Sequence, residues 1–90
     1  MALLKRYWFE FVKSGIPLPL GADLGAGVTA FNYEDAINIL TTEIFKDIPF
    51  PEIKKVIEDV DILTLDAGHV LPNMRPSNLR GVWYPFLYLH

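Results

Sequence analysis

The chain reads as an α+β domain, a single unit over residues 1–90 with the order β-β-α-β-β and one helix packed on a mixed or antiparallel sheet. Three observations carry this. The run GVTAFNYEDAINILTTEIF, residues 27–45, passes from a β-branched segment through a capping residue into an amphipathic helix. Residues 5–12 alternate, with Tyr7, Phe9 and Phe11 on one side and Arg6, Trp8 and Glu10 on the other. That is the period of a half-buried strand. Finally, 90 residues make one domain, and a chain that is 51% hydrophobic and 13% aromatic holds a dense core for its size.

The first strand ends at Lys13-Ser14-Gly15. Residues 16–26, IPLPLGADLGA, carry two prolines and two glycines and cannot form a central regular element. They make a long loop whose leucines suggest that part of it folds back on the core. Residues 27–31 are a second strand, expected antiparallel to the first. Asn32 stands at the N-cap position, able to accept from the N–H of Glu34 or Asp35. Asp35 at the third helical position resembles half of a capping box. Glu34 and Asp35 also put negative charge at the positive end of the helix dipole. Tyr33, Ala36, Ile37, Leu40 and Ile44 form the apolar stripe, Lys46 suits the C-terminal end, and Pro49 and Pro51 forbid continuation.

Residues 51–62 fit both periods. Ile53, Val56, Ile57 and Val60 match a helical stripe; Val56, Val60 and Ile62 match alternation and are β-branched. A strand is expected, because a lone hairpin under one helix is too narrow a sheet. Residues 64–78 are irregular, with Thr64 or Asp66 able to start one 3₁₀ turn. Residues 79–89 read as the last strand, with Val82, Tyr84, Phe86 and Tyr88 on one side and Trp83, Leu87 and Leu89 on the other. Two apolar sides imply a covered strand, whereas Pro85 implies an edge or a bulge. An edge strand with a covered face satisfies both. The order of elements matches the β-grasp arrangement, although FLYLH at the end of the chain is not the Gly-Gly tail of a conjugated ubiquitin-like protein.

The segments KRYWFEF, GVTAFNYEDA, EDVDILTLDAGHVLPN and RGVWYP together resemble a group of small uncharacterised bacterial proteins. The resemblance covers most of the chain and implies no activity for any residue.

Several functional classes are weakened. Without cysteine there is no disulfide scaffold, thiolate zinc site or thiol nucleophile. A small domain without staples is expected inside the cell, in the cytoplasm. Lys5, Arg6, Glu10 and Lys13 interrupt the first segment, so it is not read as a signal peptide. No window approaches the roughly 20 apolar residues of a membrane span, and no membrane partner is expected. The net charge is −3, which disfavours a phosphate backbone, so no nucleic-acid partner is expected. The pairs Lys5/Arg6, Lys54/Lys55 and Arg75/Arg80 read as solubilising surface charge.

Four constellations carry residue types suited to chemistry or binding. Glu58, Asp59, Asp61, Asp66 and His69 are ligand types for a divalent metal. Their spacing matches no metal motif, and turn-forming aspartates are the simpler reading. His69 has no nucleophile-elbow serine or threonine to serve. The glycines of GADLGAG run into a strand rather than a helix, so they do not build a phosphate loop. Arg6, Trp8, Glu10, Trp83 and Leu87 form the stronger candidate, a partner-binding outer sheet face carrying residue types common at hot spots. The competing reading is that the loop of residues 16–26 covers that face.

The function expected is therefore a non-catalytic protein–protein interaction module acting through an apolar sheet face or edge, with another protein or a second copy (a homodimer) as partner and no cofactor. The alternative is a small divalent-metal-dependent enzyme or ligand binder using Asp59, Asp61, Asp66 and His69.

Overall fold

A central hairpin organises the sheet. The computed structural model describes residues 3–12, 22, 24–46, 48–68 and 70–85. Strand β1 (Lys5–Phe11) pairs antiparallel with β2 (Ala26–Ala30), setting Tyr7 opposite Val28 and Phe9 opposite Ala26. On its other side β1 pairs with β3 (Ile53–Glu58), and β2 pairs with β4 (Gly81–Tyr84). The sheet order is β3-β1-β2-β4 and every pair is antiparallel. Of the segment 51–62 that fits both periods, residues 53–58 are thus a strand that widens the sheet as expected, while Val60 and Ile62 lie beyond it in the following connection. The likeness to a β-grasp stops at element order. That arrangement sets its first and last strands side by side and parallel, whereas here β2 separates β1 from β4.

Helix α1 (Tyr33–Glu43) starts where the capping residue stands. Asn32 is extended, and its Oδ1 accepts from the Asp35 N–H at 2.8 Å. Asp35 Oδ2 accepts in return from the Phe31 N–H at 3.1 Å, one residue earlier than in the usual capping box. Ala36, Ile39 and Leu40 are buried, and Ile44 follows them as the C-cap. They pack on Tyr7, Phe9, Phe11, Val28 and Val82, which share one face of the sheet. Ile39 was absent from the expected stripe, and Tyr33 sits at its margin, 45% exposed with its ring 6.0 Å from that of Phe9. The helix ends before Lys46, so its last turn carries no basic residue.

The other face is covered by irregular chain. β3 and β4 lie at opposite edges, so the connection between them must cross the sheet. It leaves β3 through Asp59, whose φ of 58° is left-handed, and forms two single turns, η1 (Ile62–Thr64) and η2 (Leu71–Asn73). Asp61, not Thr64 or Asp66, caps the first. Val60 and Val70 from this strap are buried with Trp8, Trp83 and Tyr84, and Ile57, Ile62, Leu65 and Met74 pack around them. The Trp8 and Trp83 rings stack at 6.0 Å, and Trp8 meets Tyr84 at 5.6 Å. The strap covers this face, and of the loop of residues 16–26 Gly25 also lies against the Trp8 ring, whereas residues 16–21 and 23 lie outside the described residues.

A bulge explains the sides of β4. Gly27 faces Tyr84 while Val28 faces Val82, which leaves Trp83 as an extra residue. Alternation predicted Val82 and Tyr84 on one side. The extra residue instead sends Val82 to the helix face and both Trp83 and Tyr84 to the strap face. Gly27 lies directly against Trp83: a Cβ there would overlap three ring atoms. β4 ends at Tyr84, followed by a cis bond to a buried Pro85. It is an edge strand with a covered face, as expected, but it starts at Gly81 rather than at residue 79, and Phe86, Leu87, Tyr88 and Leu89 lie outside the described residues.

Candidate functional site

The face proposed for a partner is not a surface. Trp8 and Trp83 are 3% and 1% exposed. They hold the strap to the sheet, and burying each ring contributes about 4–6 kcal/mol by area. Glu10 accepts a long bond from Trp8 Nε1 at 3.3 Å. Arg6 Nε donates to Ser77 Oγ at 2.9 Å, tying β1 to the end of the strap. Leu87 lies outside the described residues. The sequence could not separate a partner-binding tryptophan face from one covered by the chain itself, because both have the same residues.

The acidic cluster does not gather either. Among the described residues no three His, Cys, Asp or Glu side chains converge to hold a metal ion. Asp61 Oδ1 accepts from the Leu63 N–H at 3.0 Å and its carbonyl from the Thr64 hydroxyl at 2.6 Å. Asp66 Oδ1 accepts from the Gly68 N–H, and its carbonyl from the N–H of Val70 and Leu71. Both are turn-forming aspartates. Glu58 pairs with Lys5 at 2.6 Å. His69 lies outside the described residues.

An open site lies in the seam between α1 and the outer edge of β4. A cleft of about 210 Å³ lies there, between Glu43 of the helix and Arg75, Pro76, Leu79, Arg80 and Gly81. Arg80 is held in a fixed pose. Its Nε donates to Asp35 Oδ2 at 2.9 Å, its Nη2 donates to Asp35 Oδ1, and its guanidinium lies 5.4 Å from the centre of the Phe31 ring. Those bonds from Arg80, with a further one from the Phe31 N–H, hold the Asp35 carboxyl below its ordinary value. Leu79 is 62% exposed beside it. Gly81 has φ of +133°, and nothing lies within 4 Å of where a Cβ would sit. Its backbone can be approached closely from outside.

The two sheet edges differ. β3 displays Lys54, Lys55 and Glu58 to solvent and carries a bulge at Lys54, the usual guards against edge pairing. On β4 the Trp83 carbonyl accepts from the Arg75 N–H at 2.7 Å, and the Gly81 end stays open. Sequence reasoning missed this site because Arg75 and Arg80 looked like scattered surface charge. The available signal was Leu79-Arg80-Gly81, a glycine and an arginine placed just ahead of an apolar strand.

Comparison with protein-family models, curated proteins and solved structures found no match to this chain. No helix among the described residues is long and apolar enough to cross a membrane.

Proposed function

We propose that the protein is a non-catalytic interaction module that takes an extended segment of another polypeptide into the seam between α1 and β4. The observation that carries the reading is the cleft at the open end of β4, where Gly81 offers backbone without a side chain and a pre-set Arg80 stands beside exposed Leu79. Strand addition beside a helix draws affinity from main-chain hydrogen bonds and specificity from the flanking side chains. Arg75 favours an acidic side chain in the guest and Leu79 an apolar one, while Arg80, already paired with Asp35, shapes the wall between them. A guest from a second copy would give a homodimer through the same edge. A cytoplasmic setting fits a small domain without cysteine.

The test is selection from a displayed random-peptide library, repeated with Arg75→Glu. The wild-type protein is expected to enrich peptides that mix acidic and apolar residues, and the variant to lose them. Enrichment of nothing, or of the same peptides by both proteins, sinks the reading. Light scattering across a concentration series separates the homodimer from the monomer that binds a foreign segment.

A further inference from the structure

A second cleft opens on the strap-covered face, at the end of the sheet away from the tryptophans. It measures about 230 Å³ and is lined by Leu4, Arg6, Thr29, Asp59, Ser77 and Asn78. Such a volume is below the roughly 300–1,000 Å³ of pockets for drug-sized ligands and suits a small metabolite.

Its polar groups are fixed by the fold. Arg6 and Thr29 are cross-strand partners on β1 and β2. Both reach Ser77, which is 7% exposed: Arg6 Nε donates to its hydroxyl oxygen, and the Thr29 hydroxyl donates to its carbonyl at 2.5 Å. Because the Ser77 oxygen accepts from Arg6, its own proton is left to donate. Arg6 spends only Nε on this bond, and its two terminal nitrogens bond to no described residue. Arg6 and Ser77 thus present donors side by side in a cleft that Asn78 also lines, the kind of set that binds a carboxylate.

Asp59 lines the same cleft; its charge acts on the Lys5 ammonium from a distance, yet it makes no hydrogen bond or ion pair with Arg6 or any other described residue. A plain anion would meet its repulsion, and a plain cation that of Arg6. A ligand carrying both charges satisfies both walls. We propose that the cleft binds a small zwitterion of the free α-amino-acid type, its carboxylate on Arg6 and Ser77, its ammonium on Asp59, and its side chain toward Leu4. The cleft is distinct from the α1/β4 seam, and the inference does not rest on the reading of that seam.

The test is an amide-resolved NMR titration of the labelled protein with leucine, N-acetylleucine and leucinamide. Leucine is expected to move the signals of Ser77, Asn78 and the Arg6 Nε–H. The two singly charged relatives are expected to bind roughly tenfold more weakly, the value of one partly exposed ion pair with its hydrogen bonds. Asp59→Asn keeps a residue that tolerates left-handed backbone, so the fold is retained. It should erase the preference for leucine over N-acetylleucine. The proposal is overturned if leucine moves none of those signals, if N-acetylleucine binds the wild type as tightly as leucine, or if the preference survives in Asp59→Asn.

Discussion

The two faces of the sheet bury similar aromatic mass by different means. One is covered by α1, a regular element whose backbone bonds are internal and whose stripe of Ala36, Ile39, Leu40 and Ile44 meets a row of strand residues. The other is covered by a strap of single turns, joined to the sheet by Val60, Val70 and the two tryptophans. A helix needs only the right period to cover a sheet. A strap has no period, so large rings must lock it and its polar groups must be satisfied locally, as Asp61 and Asp66 do.

The difference can be broken or sharpened by substitution. The largest effect is expected from Trp83→Ala, at about 3–5 kcal/mol from lost transfer energy and the cavity left behind, with Leu40→Ala at about 2–5 kcal/mol as its counterpart under the helix. Urea denaturation reads both. A Trp83→Ala penalty below about 1 kcal/mol would mean that the strap is not packed as a second core. Gly27→Ala comes next. It adds a single methyl group at a position where a Cβ overlaps the Trp83 ring, and overpacking of that kind costs about 1–3 kcal/mol. A neutral Gly27→Ala would show that the ring can slide, and hence that the strap face is looser than the helix face.

The smallest effect is expected from Asp35→Asn at the start of α1, about 1 kcal/mol for the weakened bond to Phe31, with the Arg80 pair lost as well. This one depends on pH. The folded-state carboxyl is held below its ordinary value, chiefly by the Arg80 hydrogen bonds. Its contribution is therefore complete above the unfolded value of about 4 and is lost as the pH falls through the lower folded value. The stability gap between wild type and Asp35→Asn should close on acidification below about pH 4. A gap that is flat with pH would remove the carboxylate from the account of the helix start.

The same contrast separates what was legible in the sequence from what was not. The hairpin, the Asn32 cap and the helix follow from local period and local chemistry, which the chain writes out directly; the strand over residues 53–58 follows only from the width a sheet needs, since its local pattern fits both periods. The bulge at Trp83 does not. One extra residue leaves the composition unchanged and reverses the side on which Tyr84 falls. The path of the strap is also illegible locally, since it follows from sheet order, and sheet order rests on pairings between residues more than forty positions apart, such as Trp8 with Ile57. For this reason the tryptophans could be read as a partner surface. For the same reason Arg6 and Ser77, or Asp35 and Arg80, could not be seen as neighbours.

Both tryptophans of the chain stand under the strap, and the aromatic residues buried under the helix are Tyr7, Phe9, Phe11 and Phe45. Tryptophan emission is consequently a one-sided reporter: it registers the departure of the strap and is nearly blind to the helix. Circular dichroism near 222 nm is weighted the other way, toward α1. The molecule thus carries two independent gauges of its own unfolding, one for each layer. Whether their melting curves superimpose decides whether the layers let go together or in turn.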